Sequence, residues 1–213
     1  MSDLFYKVVR LIGRHAFWVS SQPVVLGVEH VPRQGACVIA SNHTRPYDVA
    51  LLMRHVPRFL DFVSIVEVFK HPLLGWFYGN MNAFPLDRSK PDAPTVRTLL
   101  GRLEQGRVVA MFPEGGFRRG EQSVLRSGKI RSGVGRLVRL AGVPLIPAVV
   151  INSVAYSRPM AWLPLRRVRY AVAFGPAISL ELEAEEIEAK LVQAMAALYA
   201  QASGRLPVEC RVV

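Results

Sequence analysis

Apolar residues come along this chain in short unbroken runs, with stretches of helical spacing between them. "GACVIAS" (35–41), "RVVAM" (107–111) and "PLIPAVVI" (144–151) read as buried strands, because they are apolar, rich in β-branched residues and too short for helices. "VVLGVEHV" (24–31), joined to the first of these by the turn "PRQG", and "RRVRYAVAFGPAI" (166–178) read as further strands, as does the apolar centre of "FLDFVSIVEV" (59–68). Between them, "YDVALLMRHV" (47–56), "APTVRTLLGRLEQG" (93–106) and "SGVGRLVRLAGV" (132–143) carry helical periodicity, with Pro46 opening the first and Gly106 stopping the second. "HPLLGWFYGNM" (71–81) predicts a short helix opened by its proline, and "NAFPLDR" (82–88) a short extended segment. A last helix, with Ser179 as its cap, spaces Leu182, Ile187, Leu191, Met195 and Leu198 helically. This alternation predicts one α/β domain over residues 23–213, built on a sheet flanked by helices.

Residues 1–22 form a separate pattern. Leu4, Val8, Leu11 and Ile12 recur on one face of a helix, while Lys7, Arg10 and Arg14 gather on another and "SSQP" (20–23) ends it. Such a helix fits an interfacial position in anionic headgroups, and it fits equally well packed on the domain.

Composition narrows the classes. With 213 residues, 51% of them hydrophobic, the chain has enough apolar material for a full core without disulfides. Cys37 and Cys210 lie far apart and outside any metal-ligand spacing, so they read as reduced thiols of a cytosolic compartment. The longest apolar run, 140–151, is too short to span a bilayer, and the N-terminal region is too charged for a signal peptide. A cytoplasmic protein, peripheral on the inner face of the membrane, is the expected class. The net charge of +11 favours anionic surfaces, phosphorylated ligands or an acidic partner. Without a helix-turn-helix, RNA-recognition or zinc-finger pattern, it does not indicate nucleic acid.

Chemistry concentrates in three stretches. In "SNHTRPYD" (41–48), five positions separate His43 from Asp48. On a continuous helix these would diverge by about 140°. With Pro46 as the first helical residue and Arg45 as its cap, His43 sits upstream in a loop and can turn back to Asp48. A carboxylate there fixes the imidazole tautomer, as a general base requires. A histidine that merely caps the helix would show the same spacing.

In "FPEGGFRRG" (112–120), a strand delivers Glu114 into a turn where Gly115 and Gly116 permit positive φ, and successive backbone N–H groups can form an anion-binding nest. Arg118 and Arg119 follow, with guanidinium groups suited to phosphate. A solvated turn with surface arginines fits as well. Arg88, closing "NAFPLDR", is a second phosphate candidate. No G-x-S-x-G nucleophile pattern is present, and His55 and His71 lack partners at metal-ligand spacing, so no metal site is expected.

Taken together, "ASNHTRPYD", "NAFPLDR", "FPEGG" and "GVPLIPAVV" resemble, in order and spacing, the four blocks of the glycerolipid acyltransferases of the lysophosphatidic acid acyltransferase type, over about residues 24–178. The resemblance implies a mostly parallel mixed sheet and an acyltransferase domain over 23–213. It implies acyl transfer from acyl-CoA or acyl carrier protein, as donor substrate and without a bound cofactor, to the hydroxyl of a lysolipid. His43 matches the base and Asp48 its orienting partner in the His-x4-Asp motif. Arg88, Glu114 and Gly115 fall on acceptor-binding positions. Glu114, being a carboxylate, is expected to hold an arginine or a hydroxyl rather than a phosphate.

Two departures bear on the acceptor. Arg45 stands where serine is usual, and Phe117 takes the usual arginine place, with Arg118 and Arg119 following it. They leave lysophosphatidate, another lysophospholipid and a lyso-aminolipid open as acceptors. The aromatic segment "FKHPLLGWFYGNM" fits an acyl-groove wall, a membrane contact or plain core. The alternative of another class is a non-catalytic lipid-binding protein of the same fold.

Overall fold

The computed structural model describes residues 3–86, 93–164 and 167–213. Helix α1 (Asp3–Ser20) runs directly into strand β1 (Ser21–Leu26), followed by β2 (Cys37–Ser41), α2 (Tyr47–His55) and β3 (Leu60–Ile65). Two short helices, α3 (Val66–Lys70) and α4 (Pro72–Asn80), lead to β4 (Ala83–Leu86) and α5 (Ala93–Glu104). β5 (Val108–Met111), α6 (Val124–Ser127), α7 (Val134–Ala141), β6 (Leu145–Ile151), β7 (Val168–Phe174) and α8 (Ala184–Ser203) complete the order.

The strands form one seven-stranded sheet in the order β1-β7-β6-β2-β5-β3-β4. All pairs are parallel except β6 with β7. β2 lies at the centre and is buried along its whole length, which is why its sequence is apolar without alternation. Its residues serve two cores: Val38 and Ala40 face one, Cys37 and Ile39 the other. α5 to α8 cover the first face, and α1, α2 and the segment 153–162 the second. The expected fold class, a mostly parallel mixed sheet flanked by helices in one domain with an N-terminal helix, is the one observed.

Several local expectations need correction. "SSQP" ends the first helix as expected, at Ser20, but the strand that follows begins at once, at Ser21, and takes in Pro23. β1 is an edge strand paired with β7 alone, where a missing N–H is tolerated. The strand read over 24–31 stops at Leu26, because Gly27 turns left-handed (φ 65°) and residues 28–30 form a 3-10 turn. Pro46, not Arg45, occupies the cap of α2. Ser179 does not cap α8; Glu183 and Glu186 form a capping box there, while Ser179 closes an earlier turn on Glu181.

α1 packs inward through Tyr6 and Phe17, both buried. The Tyr6 hydroxyl accepts from Leu60 N (3.1 Å), and Arg10 donates to Val56 O (2.6 Å), fastening the helix to the segment between α2 and β3. The opposite face leaves Leu4, Leu11, Ile12 and Trp18 57–72% exposed. At its start, Phe5 meets Trp76 and Phe77 of α4 edge-on at 5.0 and 5.9 Å. Among the described residues, no helix is long and apolar enough to cross a membrane.

Candidate active site

The site gathers at the carboxyl ends of β2, β5 and β6, where loops leave adjacent parallel strands. β2 ends at Ser41, and the next side chain, Asn42, extends the pairing. Its amide donates to Val150 O (2.9 Å) and accepts from Val150 N (2.8 Å) on β6. The chain then leaves the sheet with His43 ahead of α2. His43 Nδ1 lies 3.0 Å from Asp48 Oδ2. That oxygen also accepts from the backbone N–H groups of Thr44 (2.7 Å) and Arg45 (2.8 Å). An oxygen so engaged is an acceptor, so the bond to His43 places the proton on Nδ1 and the lone pair on Nε2. Asp48 is fully buried, whereas the His43 side chain keeps 13% exposure.

The turn after β5 holds His43 from the other side. Glu114 is buried, and both its oxygens are taken up by the protein. Oε2 accepts from His43 N, and Oε1 from Val124 N (2.6 Å) and the Ser123 hydroxyl (3.2 Å). Burial pushes the Glu114 carboxyl up to about 7, although these three bonds pull it down. Arg118 N donates to His43 O (2.8 Å), so both backbone groups of His43 are tied to this turn. The imidazole stacks flat on Phe112 (centroids 3.8 Å apart, 11°) and lies tilted against Phe117 (4.4 Å, 50°). Of the two glycines expected to adopt positive φ, only Gly115 does (φ 70°). Its N–H is spent on Phe112 O (2.9 Å), so the expected anion nest lacks that donor.

His43, Gly115, Gly116 and Phe117 border a cavity of about 820 Å³. It is walled mainly by apolar side chains such as Met53, Phe62, Leu99 and Leu137, and from α4 by Phe77 and Tyr78. Leu73, Leu74 and Trp76 of α4 are instead exposed. Such a space has the size and lining of a lipid or small-molecule site. Asp48 and Glu114 stand behind its wall. Arg45, Arg118 and Arg119 are absent from it, and Arg119 Nε donates to Thr44 O (3.2 Å). Arg88 lies outside the described residues. Among the described residues, the cations on the wall are Arg10, Arg14, Arg54 and Arg131, which sequence reasoning passed over as site residues. Arg131 lies twelve positions beyond Arg119, and its backbone N–H donates to Pro113 O (2.8 Å), which brings it to the Gly115 turn. Among the described residues, no cluster of three His, Cys, Asp or Glu side chains is placed to hold a metal ion.

Comparison with known proteins adds the following. The sequence model of the Acyltransferase family matches residues 22–151. Over 125 residues the chain is 29% identical to the 1-acyl-sn-glycerol-3-phosphate acyltransferase of Bacillus subtilis, covering 58% of this chain and 60% of that one. A match to the protein of the same name from Streptococcus pneumoniae runs over 182 residues at 24% identity, covering 83% and 64%. The chain thus spans less than two thirds of the length of these relatives. Among solved structures, the 1-acyl-sn-glycerophosphate acyltransferase of Thermotoga maritima shares its fold, with a TM-score of 0.70 at 21% identity, covering 95% of this chain and 81% of that one.

Proposed function

We propose that this chain, which belongs to the Acyltransferase family, moves a fatty acyl group from a thioester to the hydroxyl of a lysolipid. The family is the one its four sequence blocks resemble. The observation that carries the reading is the His43–Asp48 pair, with its free Nε2, at the border of an apolar cavity large enough for a lipid chain. The names of the relatives favour a 1-acylglycerol 3-phosphate as acceptor, and acyl-CoA or acyl carrier protein would supply the acyl group.

In this reading Nε2 of His43 takes the proton of the acceptor hydroxyl as its oxygen attacks the thioester carbonyl. The C–O bond forms, the C–S bond breaks, and the thiolate leaves with the proton returned by the imidazolium. Asp48, held by two backbone N–H groups, keeps the ring in the required tautomer and stabilises its charged form. General-base help of this kind is worth roughly 10²- to 10⁴-fold, about 3–5 kcal/mol of barrier. The two phenylalanines against the ring restrict water around the base.

We place the protein on the cytoplasmic leaflet. Support comes from the outward apolar face of α1, accompanied by the exposed Lys7 and Arg14, a composition suited to anionic headgroups. α1 also borders the cavity, through Val9, Gly13 and Phe17, so a lipid held there has a short path inward.

The test is thiol release from acyl-CoA and from acyl carrier protein across a panel of lysolipids, with His43→Ala beside the unmodified protein. Release that requires one lysolipid and disappears in the variant is the expected result. A His43→Ala protein that still turns over would remove His43 as the base, and no release with any pair of substrates would favour a lipid-binding protein without catalysis.

A further inference from the structure

We propose that the anionic group of the acceptor is held by Arg131, from beneath the Gly115 turn, and not by the arginine pair that follows the turn in sequence. The inference rests on the acceptor being a lysolipid with a phosphate, as proposed above.

The first observation is where the cations are. Arg118 and Arg119 are exposed and do not border the cavity, and Arg119 is engaged with Thr44 O. Arg118 contributes its backbone N–H to His43, which leaves its side chain no part in that bond. Phe117, the first residue beyond the glycines, lies against the imidazole and presents an aromatic surface there. An acceptor beside His43 therefore meets no charge from residues 117–119.

Arg131 is placed differently. It borders the cavity together with His43, Gly115 and Gly116. Its backbone N–H donates to Pro113 O, so its Cα is fixed to the turn that also carries Glu114, the residue bonded to His43 N. The side chain lies so close over Gly115 that a Cβ added there would fall 2.4 Å from its Nε and 2.9 Å from its Cζ. Gly115 is thus required by its φ of 70°, and the guanidinium lies in the space a side chain there would take.

Among the described residues, the Arg131 guanidinium has neither hydrogen bond nor ion pair. It faces solvent on one side and the cavity on the other. A planar donor fork held in this way, uncommitted and beside the base, matches the oxygens of a phosphate monoester. Arg10 and Arg54 do not compete on equal terms. Arg10 is bonded to Val56 O and Arg54 to Ser21 Oγ. Arg14, on α1, lies on a different element from the turn that fixes His43.

The test compares lysophosphatidate with its uncharged counterpart, a monoacylglycerol of the same chain, for the unmodified protein, Arg131→Ala and Arg131→Lys. Both turnover and equilibrium binding in detergent micelles are measured. For Arg131→Ala, KM and Kd for lysophosphatidate should rise about 10- to 100-fold, the worth of a charge-assisted hydrogen bond. Values for monoacylglycerol should stay unchanged, and Arg131→Lys should fall between. Equal effects on both lipids, no effect on either, or an unmodified protein that does not distinguish them would overturn the assignment. If the protein binds lysophosphatidate through Arg131 but turns over neither lipid with either donor, the catalytic reading fails and the assignment stands.

Discussion

Replacing Glu114 by glutamine separates its two contributions, because the substitution keeps the shape and removes the titration. In the structure one carboxylate oxygen accepts from Val124 N and Ser123, and the other from His43 N. A glutamine has one acceptor oxygen. If it serves the first pair, its NH2 group opposes the His43 N–H, which loses its partner. Leaving such a buried donor unpaired costs about 1–3 kcal/mol. Against this stands the charge. Burial raises the carboxyl from 4.5 to about 7, and the residue is only 4% exposed, so ionising it in the folded state costs about 3 kcal/mol. The folded state holds this proton more tightly than the unfolded chain does. The associated stability is therefore present below pH 4.5 and lost as the pH rises through 7. Between pH 5 and 8.5 the unmodified protein should lose about 2–3 kcal/mol through this group, and Glu114→Gln should lose none of it. The variant is expected to be the less stable protein at pH 5, and equal or more stable at pH 8.5. Urea unfolding of both proteins at both pH values reads the gap directly. Thermal unfolding should show it as a relative shift of about 5–10 °C for a chain of this size. A gap of the same size at pH 5 and pH 8.5 would refute the reasoning.

Two further outcomes follow from one buried and one half-buried group away from the cavity. Asp61, fully buried in β3, accepts from Arg102 (2.7 Å) and from two nitrogens of Arg107 (2.7 and 2.6 Å). Asp61→Ala should cost about 3–5 kcal/mol of unfolding free energy, and a loss under 1 kcal/mol by denaturant titration would show that the cluster holds little. His55 bonds the Tyr170 hydroxyl (2.9 Å), and its pKa is lowered to about 4, chiefly by burial and then by Arg54. The stability linked to this group is present above pH 6.5 and lost as the pH falls through 4, by about 3 kcal/mol in all. His55→Phe should show a correspondingly flatter acid limb in unfolding experiments, and parallel curves for the two proteins between pH 7 and pH 4 would count against this.

The central strands were legible because burial on both faces leaves an unbroken apolar signature, as in 37–41, 108–111 and 145–151. α4 was legible because Pro72 supplies a start that does not depend on packing. β1 was not. Its serine, glutamine and proline read as a break, and their strand character comes from β7, which lies far along the chain. Asp61 carried a signal that went unused: a lone carboxylate in an apolar strand must find cations, and two arginines meet it from α5 and its exit. Within the site, the His43–Asp48 spacing sat inside one turn and could be reasoned about locally. Arg131 could not, because its position depends on a single backbone bond made after the chain has passed through α6.

The hydrogen bonds that fix His43 and its loop run through Asn42, Asp48, Glu114 and the backbone of Arg118, and none of these residues borders the cavity. Phe117 and Arg131 do border it, and neither side chain takes part in those bonds. On the proposed reading, the hydrogen bonds that hold the base and the Arg131 guanidinium assigned to the headgroup therefore lie in separable parts of the chain. If that reading holds, position 131 is where one headgroup preference can be exchanged for another while the bonds that fix His43 stay as they are, whereas a change at Phe117 would also touch the imidazole.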